Sequence, residues 1–244
     1  MDLQSLSQNW DALGEDDPMW AILADPDRRG NRWDKDEFFA TGETQVAECM
    51  TDLDAVLPGV PRGRALDFGC GAGRLTQALA THFKLVDGVD IAPSMVKLAN
   101  QFNNDPDRVR FHLNQTDALA MFEDRSVDFI LSLIVFQHME NRYKARYLSE
   151  FVRMLSTGGV AMVTIPSHPR LSAAGAVYRL PNPMLNLYRR LRYKNGGVME
   201  LHGMRRDDVT RAVIEAGGTV IDIAPDSLAG TPWHSFRYII GPAA

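Results

Sequence analysis

ALDFGCGAGRLT, residues 65–76, decides how the rest of the chain is read. Ala65, Leu66 and Phe68 form a short apolar strand that closes on an acid, Asp67. A loop with glycine at 69, 71 and 73 follows, and a helix opens near Arg74 and Leu75. Glycine permits positive φ and lets the backbone come within contact distance of a ligand. The helix start behind the loop presents unpaired N–H groups and the positive end of a dipole. Such a turn suits an anionic or carboxylate-bearing ligand, often an adenine nucleoside derivative.

The spacing narrows the choice. A dinucleotide fingerprint, G-x-G-x-x-G, would need glycine where Arg74 stands. The chain instead reads D-x-G-x-G-x-G, and DFGCGAG resembles motif I of the class I S-adenosylmethionine (SAM)-dependent methyltransferases. A glycine turn with no ligand is the plain alternative, since turns are rich in glycine. Three alternate glycines directly after an acid that closes an apolar strand weigh against it. The resemblance implies an α/β fold: a Rossmann-like, seven-stranded, mostly parallel sheet with helices on both faces and an antiparallel last strand.

Outward from the motif, the pattern alternates. Strands are expected at 84–91, 109–114, 127–136 and 160–166, with helices at 74–82, 93–102 and 146–155 between them. Pro93 suits a first helical turn, and Gly158 and Gly159 suit a helix stop. Strand–helix alternation of this kind requires parallel pairing and a sheet covered on both faces. RRDDVTRAVIEAG, 205–217, reads as a further helix, and 218–225 and 234–241 as two closing strands. Upstream, Val46, Met50, Leu53 and Leu57 share one helical face, and Asp34 is placed to cap a helix running into Phe38. Residues 1–30 carry short helices anchored by Trp10 and Trp20. The expected organisation is an N-terminal helical cap (1–60), a SAM-binding core (61–165), an inserted substrate lid (166–203) and a C-terminal completion of the sheet (204–244).

Composition sets bounds. With 45% apolar and 23% charged residues, 244 residues suffice for a full core. A net charge of −5 argues against nucleic acid as the partner. No apolar run reaches the roughly 18 residues of a membrane span, the N-terminus lacks a basic-then-apolar leader pattern, and Cys49 and Cys70 have no metal or redox spacing. A reduced cytoplasmic protein is expected, with no metal. The charge is uneven: residues 1–60 balance to −10 and residues 166–203 to +5. Opposite fields would draw the insert over the N-terminal segment, and its arginines would favour an anionic small-molecule acceptor. Within the insert, Met184, Leu185, Leu187, Tyr188 and Leu191 share a helical face, which fits a lid, a dimer contact or a membrane-surface helix.

Asp90 ends the second strand 21 residues beyond Gly69, where open α/β sheets place an acid that accepts both ribose hydroxyls. The resemblance assigns the cofactor to Asp67, Gly69, Gly71, Gly73 and Asp90. Ile91 and Met95 would lie near the adenine, Asp117 and Ala118 would meet its amino edge, and Ser132 would stand at the fourth-strand exit. Asp117 could equally be a helix cap. Arg32 and Trp33, in the segment before motif I, are candidates for the methionyl chain and carboxylate, or staple that segment to the core. The exit of the fourth strand leads to Gln137 and His138. A histidine there suits removal of a hydroxyl proton as the oxygen is methylated, although a lone histidine is more often structural. His202 is the second candidate base. The expected activity is methyl transfer from SAM to a hydroxyl of a small molecule, a sugar or glycan end among the options. A non-catalytic SAM-binding module and a nicotinamide-dependent oxidoreductase are the alternatives; Arg74 and the closing strands disfavour the latter.

Overall fold

The computed structural model describes residues 2–180, 185 and 199–243. Seven strands form one sheet: β1 (Arg64–Phe68), β2 (Leu85–Asp90), β3 (Val109–Leu113), β4 (Val127–Ser132), β5 (Leu155–Pro169), β6 (Gly218–Asp226) and β7 (Trp233–Pro242). Their order is β3-β2-β1-β4-β5-β7-β6. The first five pair in parallel, and β7 runs antiparallel between β5 and β6. The helices are α1 (Leu3–Asp16), α2 (Pro18–Ile22), α3 (Lys35–Val56), α4 (Arg74–Leu79), α5 (Pro93–Phe102), α6 (Asn141–Met154), α7 (Ala173–Val177) and α8 (Arg206–Glu215), with 3₁₀ turns at Pro26–Arg28 and Phe136–His138.

Both faces of the central strands are apolar, and alternation divides them between two cores. Leu66, Phe68, Ile130, Ala161, Val163 and Ile165 pack with Leu148 and Phe151 of α6 and Val209 and Val213 of α8. Ala65, Phe129, Leu131, Val160 and Met162 pack with Val46, Met50 and Leu53 of α3 and Leu75 and Leu79 of α4. A third, smaller cluster joins Leu13 of α1 and Ala21 of α2 to Ala92 and Met95 at the start of α5.

Several boundaries differ from the sequence expectation: α6 begins at Asn141 rather than 146, α4 ends at Leu79 rather than 82, and β5 runs to Pro169, four residues into the expected insert. Residues 35–56 form one continuous helix, capped by the Asp34 carboxylate, which accepts from the N–H groups of Asp36 and Glu37. The fourth strand stops at Ser132, because Ile134 takes φ +65° and turns the chain out of the sheet. The chain passes from α6 into β5 at Leu155, so Gly158 and Gly159 lie inside the strand. The apolar stripe expected at 184–191 lies outside the described residues except for Leu185, which is buried.

Asp128 fastens three of the central strands at their amino-terminal side. Its Oδ2 accepts from the N–H groups of Gly63 and Arg64, at 2.8 and 2.9 Å, and its Oδ1 from Ser156 Oγ at 2.5 Å. Asp128→Ala is expected to lower unfolding stability by about 2–3 kcal/mol, the scale for hydrogen bonds to a charged acceptor. Urea unfolding checks this; a loss below about 0.5 kcal/mol would remove the clasp from the account of the fold.

Candidate active site

The sheet order reverses at β1, which has β2 on one side and β4 on the other. Ligands of open α/β sheets bind beyond the strand carboxyl ends at such a switch. A cleft of about 1000 Å³, counting its open mouth, lies there.

The glycine loop forms its floor. The N–H groups of Gly69 and Cys70 both donate to Val89 O, at 2.8 and 3.0 Å, which folds the loop against the end of β2. Gly69 and Gly71 have φ of +81° and +52°, and a Cβ at either would collide: with Val135 Cγ2 at 2.2 Å, or with Ile22 Cδ1 at 2.6 Å. Both positions therefore need glycine for conformation and for space. Gly73 has another role, packing against the Phe111 ring away from the cleft lining.

Asp90 holds the loop from the strand side. Its Oδ2 accepts from Gly71 N at 2.8 Å and its Oδ1 from Ala92 N at 2.9 Å. Burial raises its pKa, against the lowering effect of these amides. Asp67 is almost completely buried and accepts from Thr76 Oγ at 2.6 Å. Burial pushes its pKa up to about 6, against the opposing effects of the Thr76 hydrogen bond and the Arg74 charge.

The cleft therefore brings together Asp67, Gly69, Gly71, Asp90, Ile91, Met95 and His138 from the sequence-derived set. The others do not line it. Ser132 is fully buried and donates to Phe68 O, tying β4 to β1. Asp117 is exposed, and Ala118 O accepts from Thr116 Oγ in a bend that forms no helix. Arg32 is exposed, while Trp33 donates to Leu23 O and packs edge-on against Phe38. His202 bonds to the Glu200 carboxylate at 2.9 Å beside the cleft, and burial lowers its pKa.

Residues missed by sequence reasoning complete the walls. Asn114, just past β3, lines the cleft where Asp117 was expected. Leu3, Leu6 and Trp10 of α1 and Ile22 of α2 close the apolar side. Leu3, Leu6, Trp10 and Leu13 recur at helical spacing, and that signal could have identified α1 as a packed helix. Ser7 Oγ donates to Ile91 O and Asp11 accepts from Ser94 N, so α1 is fastened to the adjoining strand end and helix start.

His138 projects from the 3₁₀ turn into the cleft. Its Nδ1 lies 2.9 Å from Glu200 O, a group that only accepts, so the ring proton sits on Nδ1 and the lone pair on Nε2. Nε2 faces the Gln137 amide nitrogen at 3.2 Å, and the Trp10 ring stands edge-on at 4.9 Å between centroids.

Residues 66–163 match the family described as "Methyltransferase domain". This stretch is similar to a methyltransferase domain. Over 123 residues the chain is 32% identical to a demethylmenaquinone methyltransferase of Tropheryma whipplei, covering 50% of this chain and 49% of that protein. Over 132 residues it is 26% identical to a ubiquinone biosynthesis O-methyltransferase of Xanthomonas campestris, covering 52% and 54%. The chain thus spans about half the length of these curated relatives. The magnesium protoporphyrin IX methyltransferase of Synechocystis, solved with bound SAH, shares the fold of the methyltransferase domain and its surroundings. It superposes with a TM-score of 0.63 at 16% identity, over 98% of this chain and 99% of that one.

The buried Asp67 makes a pH prediction. An acid whose folded pKa, about 6, exceeds its ordinary value of 3.8 adds stability below the lower value and loses it as pH rises through the higher. Between about pH 4 and 6 the protein should lose about 3 kcal/mol from this group, and Asp67→Asn should lose that much less. Urea unfolding of both proteins across the window tests it; parallel stability profiles would remove Asp67 from the pH response.

Proposed function

We propose that this protein transfers the methyl group of SAM to a hydroxyl of a small-molecule acceptor. The observation that carries the reading is one cleft, at the sheet's switch point, holding the D-x-G-x-G-x-G loop bound to Asp90. Asp90 accepts from the ribose hydroxyls, its carboxylate oriented by two backbone amides but retaining lone pairs for a ligand. Ile91 and Met95 contact the adenine, and Asp67 sets a negative charge near the cofactor's cationic groups.

In the transfer, an acceptor oxygen attacks the methyl carbon in line with the sulfonium. The O–C bond forms as the C–S bond breaks, SAH leaves as the neutral thioether, and the hydroxyl proton passes to His138 Nε2. Positioning supplies most of the rate. For His138 to receive the proton, the Gln137 amide must yield Nε2 to the acceptor hydroxyl. The O-methyltransferase relative supports oxygen as the target atom, and the +5 balance of residues 166–203 supports an anionic group on the acceptor. Sugar or glycan hydroxyls remain on the acceptor panel with phenolic ones. Labelled SAM offered with such a panel, followed by mass determination of the product, tests the reaction; binding without transfer to any acceptor would favour a non-catalytic SAM module.

Two variants sharpen the test. Asp90→Ala should weaken SAM binding about 10- to 150-fold, corresponding to roughly 1.5–3 kcal/mol for a charged hydrogen-bond acceptor. Titration calorimetry reads it, and unchanged affinity, or NAD binding by the parent, counts against the cofactor assignment. His138→Ala should lower turnover with the identified acceptor by about 10²–10⁴-fold while leaving SAM affinity nearly intact. A full-rate variant with an unaltered pH profile would pass the base role to another group.

A further inference from the structure

Arg74 is 4% exposed, yet it belongs to the cleft lining. Its guanidinium meets neutral oxygens on α3: Nη1 donates to Thr41 Oγ at 3.2 Å and Nη2 to Gln45 Oε1 at 2.7 Å. Nε is buried with no hydrogen-bond partner. Among the described residues, no carboxylate stands within ion-pairing distance of it. Asp67 supports its charge from farther away, and the Phe38 ring lies 6.0 Å below the guanidinium carbon. Cys49, also nearby, has its thiol pKa pushed up to about 11 by burial and is neutral at neutral pH. Burial lowers the Arg74 pKa to about 10, which leaves the side chain charged at neutral pH.

A buried cation without a bonded anion is costly, as is an orphaned buried N–H. A clasp between α3 and α4 could be made by neutral groups and would not require either. The described cleft lining contains no other arginine or lysine. SAM and SAH each carry one carboxylate, on the amino-acid end. Guanidinium groups bind carboxylates in a forked geometry, and Nε is one arm of such a fork.

We propose that Arg74 is the cofactor's carboxylate receptor: the Nε–H and an adjacent Nη–H take the amino-acid carboxylate, and Thr41 and Gln45 orient the guanidinium for it. This rests on the reading of the cleft as a SAM site. It moves the carboxylate contact from the exposed Arg32 to the residue that stands where a dinucleotide fingerprint would have its third glycine.

The test is calorimetric titration with SAH, with 5′-methylthioadenosine, which lacks the whole amino-acid end, and with decarboxylated SAH, which keeps the amine. Wild-type protein should bind SAH at least about tenfold more tightly than decarboxylated SAH. Arg74→Gln should weaken SAH about 10- to 100-fold while leaving methylthioadenosine within about twofold, and Arg74→Lys should recover part of the loss. Equal weakening of SAH and methylthioadenosine in a folded Arg74→Gln protein would overturn the proposal in favour of an α3–α4 clasp. Equal wild-type affinity for SAH and its decarboxylated form would overturn it even if the variant does not fold. Failure of wild-type protein to bind either SAH or methylthioadenosine would instead remove the cofactor reading, and Arg74's role with it.

Discussion

The carboxylate of Asp90 is the constraint on which the carboxyl edge of the sheet depends. One of its oxygens holds the amide of Gly71 and the other that of Ala92. The glycine loop and the start of α5 are thereby fixed to the end of one strand. The loop cannot lift without leaving a buried carboxylate short of a donor, and it cannot sink because Val135 and Ile22 already touch Gly69 and Gly71. Burial disfavours the charge on Asp90 and the amides favour it. The same acid therefore shapes the loop and presents oriented acceptor sites to whatever enters the cleft.

What the sequence made legible is what short-range chemistry encodes. Apolar runs of strand length, separated by helical spacing, mark the parallel strands, because the inner ones bury both faces; β3, at the edge, buries only Val109 fully. Alternate glycines after Asp67 mark the loop, because few other residues fit its φ and its clearances. Asp34 marks its helix, because a carboxylate there satisfies otherwise unpaired amides. The misplacements have equally physical causes. Asn114 lines the cleft where Asp117 was expected, because the chain bends after β3 and local pattern does not show which polar residue of a bend faces inward. Arg74 stands where a dinucleotide fingerprint would have glycine, but its hydrogen-bond partners, Thr41 and Gln45, lie more than 25 residues away in sequence. The apolar face of α1 is readable, but its destination over Ile91 is a tertiary fact.

Ile134 shows how local conformational cost builds the site. A β-branched residue at φ +65° is strained, typically by about 1–3 kcal/mol. Its N–H donates to Thr164 Oγ at 3.0 Å, so β5 holds the turn that ends β4. A strand continued through 134–136, as hydrophobic pattern alone suggests, would have no such turn. The bend and the 3₁₀ turn beyond it bury Phe136 completely and bring His138 into the cleft. The strain is thus coupled to the position of the candidate base.

The protonation pattern of His138 also depends on distant chain. A base at Nε2 requires the ring proton on Nδ1, and Glu200 O supplies the acceptor that keeps it there. The backbone around Glu200 is held in turn: His202 N donates to Gln137 O at 2.7 Å, and Met204 N to Pro166 O at 2.8 Å. Lys144, fully buried on α6, donates to His202 O at 2.5 Å, with its pKa lowered to about 7 by burial. Both the ammonium and the neutral amine can donate that bond, so the hold on Glu200 does not require Lys144 to stay charged. Glu200 and His202 consequently do more than stand beside the cleft. The Glu200 carbonyl keeps the ring proton on Nδ1, so under the proposed transfer a change at these residues would act through the histidine tautomer.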